Sequence, residues 1–154
     1  SNGKANRFSE KEVRSTGRHT RGVRGVRIDE DDRLVGMVVM EKPGSLLTVT
    51  EGGYGKRTST EQYRLTHRGS GGVINIRNVD RNGPVISIMQ ASEEDELILI
   101  SAHGMIIRIP VEQIREMGRS TMGVRLMKLP KEDRVVDSTV IHTCDDDIEQ
   151  GESE

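Results

Sequence analysis

A chain of 154 residues with 32% hydrophobic residues has enough length for one domain or a few repeat units built around a buried core. Its formal charge of −2 conceals a segregation: six of the 25 acidic residues lie after His142 with no Lys or Arg among them, which leaves 23 basic against 19 acidic residues before that point and makes a mildly basic body with an acidic tail. The single cysteine, Cys144, excludes an internal disulfide, and the lack of an apolar run near twenty residues excludes a membrane-spanning helix.

In chain order, residues 9–14 predict one short helical turn. Residues 23–28 and 34–40 predict two strands separated by a polar turn. Residues 46–50 form a β-branched and apolar run ending at Gly52-Gly53, the first arm of a hairpin that returns over 55–58. Two more strands are predicted at 73–77 and 85–89, joined through Asp80-Arg81-Asn82-Gly83, where Asn-Gly supplies the positive φ of a tight turn. A second hairpin is predicted from 97–101 and 105–109 around Gly104, then a helical turn near 111–115, and last the strands 124–129 and 135–141. The segment 142–154 has the composition of a disordered acidic tail. Such a tail is expected to compete with other anions for basic surface in the same chain.

These elements repeat. VRSTGRHTRGV (13–23), YRLTHRGSGGV (63–73) and IREMGRSTMGV (114–124) share one Arg-x(3)-Arg-x(3)-Gly-Val cassette. At an offset of 101, residues 13–35 and 114–136 are identical at ten of 23 positions, against about one or two expected by chance. A period near fifty residues marks an array of supersecondary units, and propeller blades fall in that range. The expected fold is therefore all-β, a propeller-like repeat of four-stranded blades, with units near 3–45, 46–96 and 97–141. Gly3 aligns with Gly53 and Gly104, so the strand expected before it is missing from the array. Three blades are too few for a closed propeller, and part of a longer domain is expected.

The cassette carries the chemistry. Arg14, Arg18, Arg64, Arg68, Arg115 and Arg119 return at one phase of every unit, and Arg21 lies within the first cassette. A ring of blades would place them along a common edge. Gly22, Gly72 and Gly123 stand beside them and would let backbone amides approach an anion. Guanidinium forks and bare amides suit phosphate oxygens, although a solvated face paired with Glu12, Glu61 and Glu112 is the plain alternative. With only Phe8, Tyr54 and Tyr63 as aromatics, the chain has few platforms for unpaired bases, so if it binds nucleic acid, phosphate contact with a duplex is expected. GGYGKRT (52–58) lacks the spacing of a P-loop and reads as a hairpin, with Lys56 and Arg57 as further candidate phosphate contacts. The four histidines have no metal-ligand spacing and read as surface residues, and the methionines as core filler. No catalytic, metal or cofactor-binding constellation stands out. A protein-binding propeller scaffold is the alternative of another class.

The cassettes, the turns DDRLV and EDRVV, the run LLTVTEGGYGKRTSTEQYR (46–64) and the acidic tail together resemble the C-terminal domain of DNA gyrase A. The C-terminal domain of topoisomerase IV is the nearest competitor. The resemblance implies a β-pinwheel, in which neighbouring blades exchange a strand and a basic rim bends and wraps duplex DNA. It implies work within an ATP-dependent type IIA topoisomerase that introduces negative supercoils. The partners would be double-stranded DNA, the rest of gyrase A, and gyrase B, in the bacterial cytoplasm at the nucleoid. Strand breakage and the use of ATP and Mg would lie elsewhere in the holoenzyme, with no cofactor in this chain. The family's glycine- and arginine-rich box belongs to a first blade. Thr66–Gly72 (THRGSGG) stands in the equivalent place and matches it at Arg68, Gly69 and Gly72, so later blades are expected here.

Overall fold

A computed structural model describes residues 1–40 and 44–143. Nine strands are present among them: β1 (Lys4–Ala5), β2 (Ser45–Thr50), β3 (Tyr54–Ser59), β4 (Val73–Ile74), β5 (Val85–Ala91), β6 (Glu96–Ser101), β7 (Ile106–Pro110), β8 (Val124–Arg125) and β9 (Val135–Ile141). No α-helix is assigned among the described residues, and no helix there is long and apolar enough to cross a membrane.

The hairpins fold where the sequence predicts them. β2 and β3 pair antiparallel around a turn in which Gly53 has φ 77°, and β6 and β7 do the same around Gly104 at φ 84°. The closing strands lie on the other side of each first arm, β5 on β2 and β9 on β6. Both pairs slip register at the same place in the repeat, between Val49 and Thr50 and between Ile100 and Ser101. A bulge at matching positions bends and twists both sheets alike.

The fourth strand comes from the next unit. The larger sheet has the order β5-β2-β3-β8, so Val124 and Arg125 of the third unit complete the second unit's sheet opposite Gly55 and Tyr54. In the same way β4 of the second unit pairs with β1 of the first. This backward loan of a strand explains the cassette glycines. Gly72 and Gly123 have φ 73° and 81°, and a Cβ on either would lie 2.6 Å from the carbonyl oxygen of Ala5 or Gly55 on the receiving strand. Any side chain there would hold the loaned strand off its acceptor. The expectation that Gly72 opens a path for an anion is thereby corrected, because a neighbouring backbone fills that space.

The core lies between the second and third sheets. Leu47, Val49, Ala91, Leu97, Leu99, Val111, Ile114, Met127 and Val135 form one buried cluster. Every residue of β2 after Ser45 is buried, as suits a strand covered on both faces, whereas β6 alternates. The same inter-sheet position is filled in two ways. In the second unit Tyr63 donates its hydroxyl hydrogen to Asn75 Oδ1, and Asn75 Nδ2 donates to Thr48 Oγ1 at 3.0 Å. The aligned residues of the third unit are Ile114, Leu126 and Leu99, an apolar set. Met127 is buried in the core and Met89 packs against that cluster, while Met37 is 81% exposed, so the reading of the methionines as core filler holds for some and is corrected for Met37.

The first unit departs from expectation. Residues 23–28 make only an isolated bridge, Val26 to Ser70, and 34–40 form no strand. Strands are stable only against partners, and the described residues provide neither a receiving hairpin for 23–28 nor a first arm for 34–40. Leu34, Met37 and Val39 are consequently 68%, 81% and 66% exposed. The strands expected at 73–77 and 124–129 shorten to two residues each. Beyond them the amides of Asn75 and Ile76 donate to Gly3 O, and those of Leu126 and Met127 to Gly53 O, so the chain wraps the hairpin tip. Short 3₁₀ turns form at Glu10–Glu12 and Val111–Gln113 as expected, and a third forms at Thr60–Gln62.

Candidate nucleic-acid interface

Each cassette runs from the return arm of its own hairpin to the outer edge of the preceding sheet. Two sets of basic residues hold this crossing in place. The first is the arginine four residues after the aligned glycines Gly3, Gly53 and Gly104, namely Arg7, Arg57 and Arg108. Arg57 donates from Nε to Ile114 O at 2.6 Å and from Nη1 to Glu93 Oε1 at 2.9 Å. Arg7, one unit earlier, donates to Thr60 O and Tyr63 O at 2.8 and 3.1 Å, on the equivalent turn of its neighbour. Arg108 completes the series. No fourth turn lies against it among the described residues, and its side chain is 61% exposed and paired with Glu96.

Lys56 is fully buried. Its Nζ donates to Gly118 O at 2.6 Å, Arg119 O at 2.7 Å and Thr121 Oγ1 at 3.3 Å, capping the turn at the centre of the third cassette. Burial, with a smaller contribution from the Arg119 charge, pushes this amine down to about 8. Burial likewise pushes the Tyr63 hydroxyl up to about 12. The expectation that Lys56 and Arg57 reach phosphates is therefore corrected. Both are interior staples between units: Lys56 has three bonds to protein oxygens, and Arg57 is 7% exposed and bonded to Ile114 O and Glu93.

The second set is the later arginine of the cassette. Arg68 Nη1 donates to Arg24 O at 3.3 Å, and Arg119 Nη1 donates to Ile74 O at 2.8 Å. Arg24 and Ile74 occupy the same repeat position, so this is one contact made twice, from a cassette to the exposed edge of the strand segment before it. Arg68 Nε adds a bond to Glu12 O at 3.1 Å. Each of these guanidinium groups is half-buried and retains donors beyond those used.

Five predicted residues remain open. Arg14, Arg18, Arg21, Arg64 and Arg115 are exposed, and their guanidinium groups have no hydrogen-bond or ion-pair partner among the described residues. None of the cassette arginines is neutralised by a carboxylate there; Glu12 faces His67 at 3.5 Å and the Arg68 amide at 3.1 Å. Unpaired guanidinium groups on equivalent crossings repel one another and are relieved by a polyanion. Among the described residues no cluster of three or more His, Cys, Asp or Glu is placed to hold a metal. Of the expected tail, His142 and Thr143 bond to Asp95 and to Glu94 O, and residues 144–154 lie outside the described residues.

Sequence reasoning passed over Arg81 and Arg125, whose guanidinium carbons sit 5.3 and 5.6 Å from the centre of the Tyr54 ring. Their meeting depends on the loan of β8 to β3, so no local pattern signals it.

Three tandem units, the second and third each lending a strand backward and all presenting arginines along the cassettes, define a strand-exchanged β-propeller repeat with a basic edge. The family model for the DNA gyrase C-terminal domain, a β-propeller, matches at residues 1–39, 44–92 and 95–142. The chain belongs to that family. DNA gyrase A of Salmonella typhimurium is 39% identical over 134 residues, 87% of this chain and 15% of the relative. The gyrase A of Escherichia coli is 40% identical over the same shares, and that of Haloquadratum walsbyi is 40% identical over 98% of this chain and 18% of its own length. The chain thus spans less than a fifth of these relatives. A solved DNA gyrase A C-terminal domain superposes with a TM-score of 0.84 at 29% identity, covering 92% of this chain and 48% of that one. The C-terminal domain of DNA topoisomerase IV, at 24% identity and a TM-score of 0.82 over 91% of this chain and 44% of that one, shares the fold.

Proposed function

We propose that this chain binds duplex DNA along its basic edge and bends it, as the C-terminal part of a DNA gyrase A protein. In that setting it wraps the duplex for ATP-dependent negative supercoiling, together with the rest of gyrase A and with gyrase B. The chain contributes contact surface and no reacting group; strand breakage and ATP hydrolysis belong to other parts of the holoenzyme. The observation that carries this reading is the set of unpaired arginines at equivalent places of successive units, beside staples that fix the crossing between them. Phosphate contacts of this kind position a duplex without reading bases, and sequence preference arises from bendability.

The test is a gel-shift titration with a linear duplex across a salt series. The five open arginines, at one phosphate each, should contribute about −4.5 to the slope of log affinity against log salt, at about −0.9 per contact. No binding at low salt, or a slope near zero, removes the proposal.

A further inference from the structure

Resting on that reading, we propose that Arg81 and Arg125, held on the Tyr54 ring, form a phosphodiester clamp separate from the cassettes and built only in the second unit. Both arginines are exposed residues, and both lie against the ring of Tyr54, a residue only 6% exposed. Arg125 Nη2 also donates to the Tyr54 hydroxyl at 3.1 Å, and Arg81 Nη2 contacts Met122 Sδ at 3.5 Å. Neither forms an ion pair among the described residues. Each of the two charges is held at the ring by attraction to its π-system. They retain most of their N–H donors for a shared anion.

The placement is fixed from both sides. Arg125 belongs to β8, the edge strand of the four-stranded sheet, opposite Tyr54 in register. Arg81 sits in the turn at 79–83, whose buried Asn82 donates to Arg77 O at 3.0 Å and Met122 O at 3.2 Å and accepts from the Val79 amide at 2.8 Å. The aligned residues elsewhere cannot build the clamp. Lys4 replaces Tyr54 in the first unit and pairs with Asp29, and Met105 replaces it in the third. A planar fork supported by a ring suits the diester oxygens of a DNA backbone better than a mobile ammonium group does.

The experiment uses the same duplex and salt series. The variant R81Q/R125Q is expected to lose about tenfold or more in affinity at 0.1 M salt and to shed about 1.8 from the slope, two contacts' worth. R108Q, which alters an arginine paired with Glu96, should leave the slope unchanged. R81K/R125K keeps both charges and covers the case in which the glutamine variant folds poorly: it should retain the slope and weaken binding several-fold. Arginine modification by phenylglyoxal provides the last arm, with Arg81 and Arg125 protected by duplex and not by inorganic phosphate at equal phosphate concentration. An unchanged slope in R81Q/R125Q, undiminished binding in R81K/R125K, or equal protection by inorganic phosphate overturns the clamp. Failure of the unmodified chain to bind duplex strikes the functional reading instead.

Discussion

Arg7, Arg57 and Arg108 hold one position in three successive units yet face three environments, which makes them a graded test of the packing between units. Replacing Arg57 by Met removes the donor from Ile114 O, a carbonyl of a fully buried residue. An orphaned buried acceptor costs about 1–3 kcal/mol. The lost pair with Glu93 adds little, because Glu93 is 71% exposed and screened pairs contribute about 1 kcal/mol at most. The total is about 1–4 kcal/mol. Met preserves most of the apolar stem, so packing loss is small. With a urea m-value of about 2 kcal/mol/M for a chain of this size, the unfolding midpoint should fall by about 0.5–2 M, read by far-UV circular dichroism. Arg7→Met should show a comparable fall, since its donors also end on neighbouring-unit carbonyls. Arg108→Met should stay within about 0.5 kcal/mol of the parent, as exposed substitutions do. Equal losses at Arg57 and Arg108, or an Arg57 variant that keeps full stability and flattens the salt slope of DNA binding, would refute the staple and return Arg57 to the phosphate contacts.

Three further outcomes follow from the same geometry. Because Lys56 binds its proton less readily in the folded chain, at about 8, than in the unfolded chain at 10.5, the unfolded state holds more protons between those values. Stability from this group should then rise with pH from about 8 upward and be flat below, a slope that Lys56→Met abolishes in calorimetric melts. Measurements should stop near pH 10, above which Tyr63, raised to about 12 by burial, begins to lower stability as the unfolded chain deprotonates first. Gly123→Ala combines a left-handed φ with a Cβ 2.6 Å from Gly55 O, whereas Gly22→Ala has the same handedness and no atom within 4 Å. The first should cost about 3 kcal/mol or more and the second about 1, compared by urea melts. Asn75→Leu alone should cost about 1–3 kcal/mol by stranding Thr48 and Tyr63, while the combination Thr48→Leu, Tyr63→Ile, Asn75→Leu copies the third unit and should be near neutral. A triple variant less stable than the single one would show that the two units are not interchangeable in packing.

The repeat, the hairpins and the closing strands β5 and β9 were legible because each depends on local alternation and on turn residues such as Gly53 and Asn82-Gly83, whereas their bulges had no signal in the sequence. Strand exchange was legible only through family resemblance, since the partner of Val124 is Gly55, far away in sequence. The cassette glycines were seen as places of close approach, but at Gly72 and Gly123 the approaching group is a strand and not an anion. Lys56 and Arg57 misled because a basic side chain in a hairpin ordinarily points to solvent, and here the next unit's turn covers it. Residues 34–40 have the pattern of a strand and lack a partner, so propensity alone did not form one.

The central claim is that the open cassette arginines carry the duplex. The most direct measurement compares the salt dependence of duplex binding by the parent and by Arg14→Gln/Arg18→Gln/Arg64→Gln/Arg115→Gln, after confirming equal urea midpoints. Four lost contacts should reduce the slope by about 3.6 and abolish the gel shift near 0.15 M salt. A parent-like slope in the quadruple variant would place the DNA on another surface.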